Sequence, residues 1–381
     1  MGLGRLVLGA MAHPRRTARR VGERLLNLYQ LSALDADRIE SLSSLDPGRL
    51  EALTELPIDY LQLLTDEVAF EKEYEQRVGS TANFIQEILD EHFDGETPEF
   101  GLEIGSGLGS ITDVMTDVKE FDYKNVPGFT SPTVEGHEGK LVIGRINGVL
   151  TVGLKGRRHY YEVAHERAGI LKTVFPVDVL ANLGVKNYFV TNAAGGLNKD
   201  YKEGDVMVIR SQRNEIPNPL LGRLHVLNRV DDDKKVARFV AMDDAYHTEL
   251  TLLLYDEGQE FDKEHVHEGI YAGLEGSTYE TPEDVQHLRN IGCDDVGMST
   301  TPGVIKARQR GMNVVGLSLV TNEIDPAGSN PATHEEVTEV AERPEVKYRL
   351  TNMVLNFFGV YKQIYMDRPE KQAHVSNSPS P

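Results

Sequence analysis

The 381-residue chain contains no tryptophan and a single cysteine, Cys293. One cysteine excludes an intrachain disulfide and any multi-cysteine metal site, and it fits a reducing compartment. In the context Asn290-Ile291-Gly292-Cys293 it is expected to be buried and inert. No apolar run approaches the ~18 residues that a membrane-spanning helix needs. Positive charge is scarce as well: 40 Lys and Arg stand against 60 Asp and Glu, a net charge of −20. That balance argues against a nucleic-acid partner, whose grip would rest on basic contacts to phosphate. It leaves open a small anionic substrate, which feels the local field and not the total charge. No His-Glu-x-x-His marks a metal site, and no Gly-x-Ser-x-Gly elbow with credible partners marks a serine nucleophile.

What is present supports a sizeable core: 40% of residues are apolar, with 12 Phe and 15 Tyr. A prior of about 150 residues per domain gives two or three domains, although single α/β domains often run longer. Residues 1–22 carry Arg5, Arg15, Arg16, Arg19 and Arg20 and no acid. Such a stretch reads either as a solvated basic helix of a cytoplasmic protein or as an organelle transit peptide. The absence of serine from it favours the former. Residues 1–66 read as a small helical extension, with short helices at Arg49 to Leu56 and Ile58 to Leu64. A longer amphipathic helix is expected from Phe70 to Phe93, with Phe84, Ile85, Ile88 and Leu89 on one stripe.

From Phe100 onward, short apolar runs end in glycine-rich turns and alternate with helical stretches. Strands are expected at Phe100–Ile104, Lys140–Ile146, Leu150–Leu154, Asn187–Val190, Asp205–Ile209 and Val314–Val320. Helices are expected at Val174–Leu183, Pro282–Ile291 and Pro302–Arg310. The alternation implies an α/β domain over residues 67–365, with a central mixed sheet flanked by helices. Residues 366–381, rich in Pro and polar residues, read as a disordered tail.

Several turns look ready for a ligand. Thr191-Asn192-Ala193-Ala194-Gly195-Gly196-Leu197 follows the apolar Tyr188-Phe189-Val190, and its small residues leave no bulk over the backbone. Strand carboxyl ends are where open α/β sheets bind ligands. Gly105-Ser106-Gly107-Leu108-Gly109 would let N–H groups converge on an anion, yet Ser110 breaks the dinucleotide fingerprint. A tight strand–helix turn, or the first motif of a methyltransferase, fits it equally. Arg157 and His159, two apart in extended chain, would point to one side and clamp a dianion, with Arg158 facing away; an exposed basic turn is the alternative. Tyr279 and Glu280 pair a stacking ring with an acceptor for a heterocycle N–H, and Thr281-Pro282-Glu283-Asp284 is at the same time a helix start. Asn322 could read the O6 and N7 of a purine or simply occupy a turn. His334 could meet a ligand hydroxyl or lie on the surface.

Taken together and in order, these segments resemble the trimeric class of purine nucleoside phosphorylases, in the family that includes methylthioadenosine phosphorylase. The resemblance spans about residues 70–360. It rests on GSGLGSITD (Gly105–Asp113), GHEGK (Gly136–Lys140), GRRHYYE (Gly156–Glu162), TNAAGGL (Thr191–Leu197), EGDVMVIR (Glu203–Arg210), NPLLG (Asn218–Gly222), AMDDAY (Ala241–Tyr246), GMSTTP (Gly297–Pro302) and VTN (Val320–Asn322). It displaces the methyltransferase reading. It implies a phosphate site of Ser106, Arg157, His159, Asn192, the Ala193 backbone and Ser299, gated by His137. It implies a ribose site of Tyr161, Met298 and His334, with Gly297 and Tyr271 near the nucleoside, and a base site of Tyr279, Glu280 and Asn322. Asn322, Glu280 and His159 would carry the catalysis. Asparagine at 322, where methylthioadenosine enzymes carry Asp, favours the 6-oxopurines inosine and guanosine. The resemblance further implies a homotrimer and a cytoplasmic enzyme that uses phosphate as co-substrate and needs no cofactor or metal.

Departures from the family pattern are plain. The Arg213–Pro219 loop is short, and no clear match appears for the Phe that members send into a neighbour's ribose pocket. Tyr279 replaces the usual Phe. Glu323 puts a carboxylate next to Asn322 and could shift base preference. A small insertion follows Glu162 within residues 163–172. Alternatives are a methylthioadenosine or xanthosine phosphorylase, or a non-catalytic nucleoside-binding protein with residues 1–66 as a partner-binding arm.

Overall fold

A computed structural model describes residues 58–134, 136–166, 168–221, 239–324 and 334–367; the side chains of 58–68 and 334–336 lie outside the described set. The basic N-terminus and the helix expected at Arg49 to Leu56 therefore fall outside the described residues, as does the tail from residue 368. Two compact units divide the chain. The first takes residues 1–76 and 222–236, of which 58–76 are described. The second, residues 77–221 and 237–381, holds the sheet and the candidate site.

Helix α1 (Ile58–His92) is longer than the apolar stripe predicts and runs unbroken through residue 66, where the extension was expected to end. In its second half Val78, Ala82, Ile85 and Leu89 are buried, the three-to-four spacing of a core-facing stripe. Among the described residues nine strands follow: β1 (Phe100–Ile104), β2 (Thr116–Asp122), β3 (Lys140–Ile146), β4 (Val149–Lys155), β5 (Asn187–Gly196), β6 (Val206–Asn214), β7 (Val266–Gly273), β8 (Asp295–Gly297) and β9 (Asn313–Glu323). Between and after them lie α2 (Tyr160–Val163), α3 (Gly169–Asn182), α4 (Thr248–Asp262), α5 (Pro282–Asn290), α6 (Thr301–Gln309), α7 (His334–Glu342) and α8 (Pro344–Tyr361).

The sheet is mixed, in the order β2-β3-β4-β1-β5-β8-β7-β6-β9, and β9 pairs back onto β5. Strand β5 makes this possible. Its first half is held between β1 and β9, both parallel to it. Beyond Val190 its partnership with β1 ends, and at Gly195–Gly196 it takes β8 instead, antiparallel. Strands β5, β9, β6, β7 and β8 thus close a ring, and the parting of β1 from β5 opens a crevice at their carboxyl ends, where α/β sheets bind ligands.

Alternation along β1 sorts the two faces. Phe100, Leu102 and Ile104 belong to the main core, where the Phe100 ring meets Phe357, Phe358 and Tyr361 of α8. Gly101 faces the other way: a Cβ there would lie 2.3 Å from the Leu180 side chain of α3. Cys293 is buried, and burial pushes its thiol up to about 11, which favours the protonated form.

Several expected bounds need correction: β6 runs on to Asn214 and α3 begins at Gly169, five residues before Val174. The strand expected at Asn187–Val190 continues through the small residues to Gly196, because β9 supplies a ladder along its whole length. Likewise β9 extends past Val320 to Glu323, which makes Asn322 a strand residue and not a turn residue.

Candidate active site

A cavity of about 490 Å³ occupies the crevice. Its walls come from the ends of β1, β4, β5, β8 and β9 and from the start of α5. Ser106, His137, Arg157, His159, Tyr161, Asn192, Ala193, Tyr279, Glu280, Gly297, Met298, Ser299 and Asn322 all line it. Tyr271 does not. It is fully buried beneath the turn after β8, where its hydroxyl receives the Ser299 N–H (3.3 Å) and supports that turn. His334 opens α7, and its side chain lies outside the described residues.

One end of the cavity gathers a guanidinium, imidazoles and hydroxyls. Arg157, with only 4% of its side chain exposed, donates from Nη2 to the Thr191 carbonyl and from Nη1 to Thr300 Oγ1 at 3.4 Å. Gly105 permits this closeness: a Cβ there would sit 2.8 Å from Thr191 O and 3.1 Å from Arg157 Nη2. Arg158 turns away to Glu162 (3.1 Å), as the i, i+2 argument requires.

Histidine 137 is fixed twice. The Arg157 N–H donates to its Nδ1 (3.2 Å), so its ring proton sits on Nε2 and is donated to Ser106 Oγ (2.9 Å). Ser106 accepts that bond, which leaves its own O–H free to donate into the cavity. Lys155 holds Glu138 at 2.8 Å, which fastens the loop carrying His137.

His159 is oriented by Glu162, whose Oε1 lies 3.1 Å from Nδ1 and also accepts the His159 N–H at 2.6 Å. Nδ1 therefore carries the proton and Nε2 is left for the cavity. Burial lowers the His159 pKa and outweighs the opposing pull of Glu162, so the ring is neutral at pH 7. Burial alone would raise Glu162, yet hydrogen bonds from His159 and Thr133 hold its carboxyl well below the usual range. Tyr161 stacks on His159 at 5.1 Å, and burial pushes its phenol up to about 12.

The polar groups converge on Thr300. Its Oγ1 receives Asn192 Nδ2 at 2.9 Å and lies 3.1 Å from Ser299 Oγ, besides its contact with Arg157. Among the described residues, the buried Asn192 Oδ1 and Arg157 Nε have no partner, and both residues line the cavity where a ligand could supply one.

The opposite end is drier. Val285, Val296 and Ile324, which pack together, line it beside Glu280 and Asn322. Burial raises the Glu280 carboxyl above its ordinary pKa. Thr281 caps α5 through a reciprocal bond with Asp284, so the helix-start reading of this segment holds, and Tyr279 and Glu280 just before it line the cavity. Asn322 is buried, and Thr321 Oγ1 donates to its Oδ1 at 3.3 Å. A Cβ at Gly195 would lie 3.5 Å from Asn322 Nδ2 and 2.6 Å from the Ile324 side chain, so the small residue keeps that wall open. Glu323 points outward on the alternating strand and meets Lys202 at 3.4 Å on the surface; it does not line the cavity and adds no carboxylate there.

Sequence reasoning missed Glu103, Thr300 and the apolar wall. Thr300 stood inside a quoted motif, and its backbone gave no signal. Val134 and Val337 come from distant loop and helix positions, and nothing local distinguishes them from other valines. Among the described residues, no group of three His, Cys, Asp or Glu is placed to hold a metal, and no helix is long and apolar enough to cross a membrane.

Residues 103–349 match the family model of the phosphorylase superfamily. The chain is 38% identical over 268 residues to purine nucleoside phosphorylase 1 of Bacillus subtilis, covering 70% of this chain and 93% of that one. It is 38% identical over 260 residues to purine nucleoside phosphorylase of Bos taurus, 66% of this chain and 86% of that one. In structure it is similar to isoform 2 of purine nucleoside phosphorylase from Schistosoma mansoni in complex with cytosine and ribose-1-phosphate. That match has a TM-score of 0.64 and 34% identity and covers 74% of this chain and 96% of that one. A Schistosoma purine nucleoside phosphorylase in complex with hypoxanthine matches at a TM-score of 0.63 and 32% identity, with the same shares covered.

Proposed function

The chain belongs to the phosphorylase superfamily, alongside the purine nucleoside phosphorylases, and on that premise we propose that its cavity phosphorolyses 6-oxopurine (deoxy)ribonucleosides such as inosine and guanosine. The products are the free base and a pentose 1-phosphate, and the reaction is reversible. One observation carries this reading: a single cavity joins an anion end, built on Arg157, Ser106, His159, Asn192 and Ser299, to a base end built on Glu280 and Asn322.

In the proposed reaction, phosphate rests on the Arg157 fork and the Ser106 O–H. Tyr161, Met298 and His334 would meet the pentose, and Tyr279 would close over the base from the rim, where it is half exposed. The C1′–N9 bond stretches and its electron pair passes to the purine. Asn322 Nδ2 donates to the acceptors N7 and O6, on which negative charge develops, while the Glu280 carboxylate accepts N1–H. A phosphate oxygen then bonds to C1′, whose cationic character the dianion has already stabilised. Holding the two reactants in line supplies much of the remaining acceleration. The side chains and phosphate suffice for this chemistry, so no metal or organic cofactor enters the proposal. A cytoplasmic homotrimer completes it, and sedimentation of the purified chain tests the trimer.

The activity is tested by incubating purified protein with inosine, guanosine, adenosine and methylthioadenosine, with and without phosphate, beside an Arg157→Ala control. Release of hypoxanthine or guanine only when phosphate is present, lost in the control, is the expected result. Turnover of the adenine nucleosides instead would overturn the base assignment, and no turnover of any would overturn the enzyme reading.

A further inference from the structure

We propose that Glu103 is the buried counter-ion of the anion clamp, holding Arg157 when no anion is bound and thereby weakening the grip of the clamp on phosphate. The inference rests on Arg157 being the phosphate ligand. By the alternation of β1, Glu103 points away from the aromatic core that Phe100, Leu102 and Ile104 enter. It is nonetheless buried, with 3% of its surface exposed. Its Oε2 lies 3.6 Å from Arg157 Nη1, the ion pair that Arg157 makes among the described residues. The same oxygen accepts the hydroxyl of Tyr188, a fully buried residue at the start of β5. Burial, reinforced by the nearby carboxylate, holds that phenol protonated, so it remains a donor.

A carboxylate in such a place is costly unless paired, and here one guanidinium and one phenol satisfy it. The guanidinium is shared. An anion entering the cavity must compete with Glu103 for the charge of Arg157, and it meets a like charge just behind the clamp. Removing the carboxylate leaves Arg157 buried without a counter-charge, and phosphate then supplies one. Removing the Tyr188 hydroxyl does the reverse, because the carboxylate loses a donor and draws Arg157 closer. The two substitutions therefore move phosphate affinity in opposite directions. A purely structural pair would impair the site in both cases.

The experiment compares the full wild-type chain with Glu103→Gln and Tyr188→Phe, reading KM for phosphate at saturating inosine, KM for inosine, and melting temperature with and without phosphate. Glu103→Gln is expected to lower the phosphate KM at least about threefold and Tyr188→Phe to raise it by about as much. The inosine KM should change less than about twofold in both. Without phosphate Glu103→Gln should melt below wild type, and phosphate should raise its melting temperature by more. A phosphate KM that is unchanged or raised in Glu103→Gln overturns the inference. If that variant does not fold, Tyr188→Phe decides alone, and an unchanged or lowered phosphate KM overturns it. Should wild type cleave no nucleoside, the phosphorylase reading falls; the phosphate-induced melting shifts of the same proteins then still decide the role of Glu103.

Discussion

At the scale of single residues, base choice rests on which groups donate and which accept. The Asn322 amide presents Nδ2 to the cavity wall at Gly195 while its Oδ1 is held by Thr321. Asn322→Asp replaces a donor with an acceptor, so inosine kcat/KM should fall on the order of 10²-fold while adenosine gains relative to it. Steady-state kinetics on both nucleosides checks this. Glu280 gives a pH signature. Its carboxyl is raised by burial, so it protonates on the acid side earlier than an ordinary glutamate, and it then can no longer accept N1–H. The inosine KM should rise as pH falls through that raised value, with the rise abolished in Glu280→Gln. Adenosine, which has no N1–H to donate, should not follow it.

Among the elements, the joint between β8 and α6 gathers the polar groups of the proposed phosphate site. Thr300 has φ +69° and ψ −61°, and the Thr301 N–H donates back to Ser299 O at 2.7 Å. This is the rare, strained γ-turn, here centred on a β-branched residue and surrounded by packed structure that holds it. The turn aims one hydroxyl at Arg157, Asn192 and Ser299 together. Thr300→Val should therefore raise the phosphate KM about tenfold with a smaller effect on the nucleoside KM, and Thr300→Ser should restore most of the loss. The motif Gly297-Met298-Ser299-Thr300 was visible in the sequence, but the strain was not. A φ of that sign is not written in a threonine, because surrounding contacts impose it.

Across the whole molecule, another buried carboxylate sits just before the start of β6, beside β7. Asp205, with 1% of its side chain exposed, accepts from His265 Nδ1 (2.7 Å), His267 Nε2 (2.8 Å) and the Lys202 N–H (2.8 Å). Burial would raise its carboxyl, but the histidine bonds outweigh it and the pKa is lowered. The sign follows from linkage: the stabilisation is present above the ordinary Asp value of ~3.9 and is lost as pH falls through the lowered folded one. Asp205→Asn should cost about 1–3 kcal/mol at pH 7. Urea unfolding at a series of pH values should show the gap from wild type closing in acid.

Local pattern was enough to read the strands from Phe100 to Ile104 and from Lys140 to Ile146, the start of α5, and the small-residue lining from Asn192 to Gly195, since each is written in neighbouring side chains. The opposed directions of Arg157 and Arg158 were likewise legible, because extended chain alternates. What only the tertiary structure decided is which distant residues meet. The switch of β5 from β1 to β8, which opens the crevice, depends on pairing across about a hundred residues of chain. The burial of Glu103 against Arg157 and Tyr188, the outward turn of Glu323, and the withdrawal of Tyr271 beneath Ser299 follow from that pairing. A sequence names the side chains that can do chemistry; long-range strand pairing chooses which of them share a cavity.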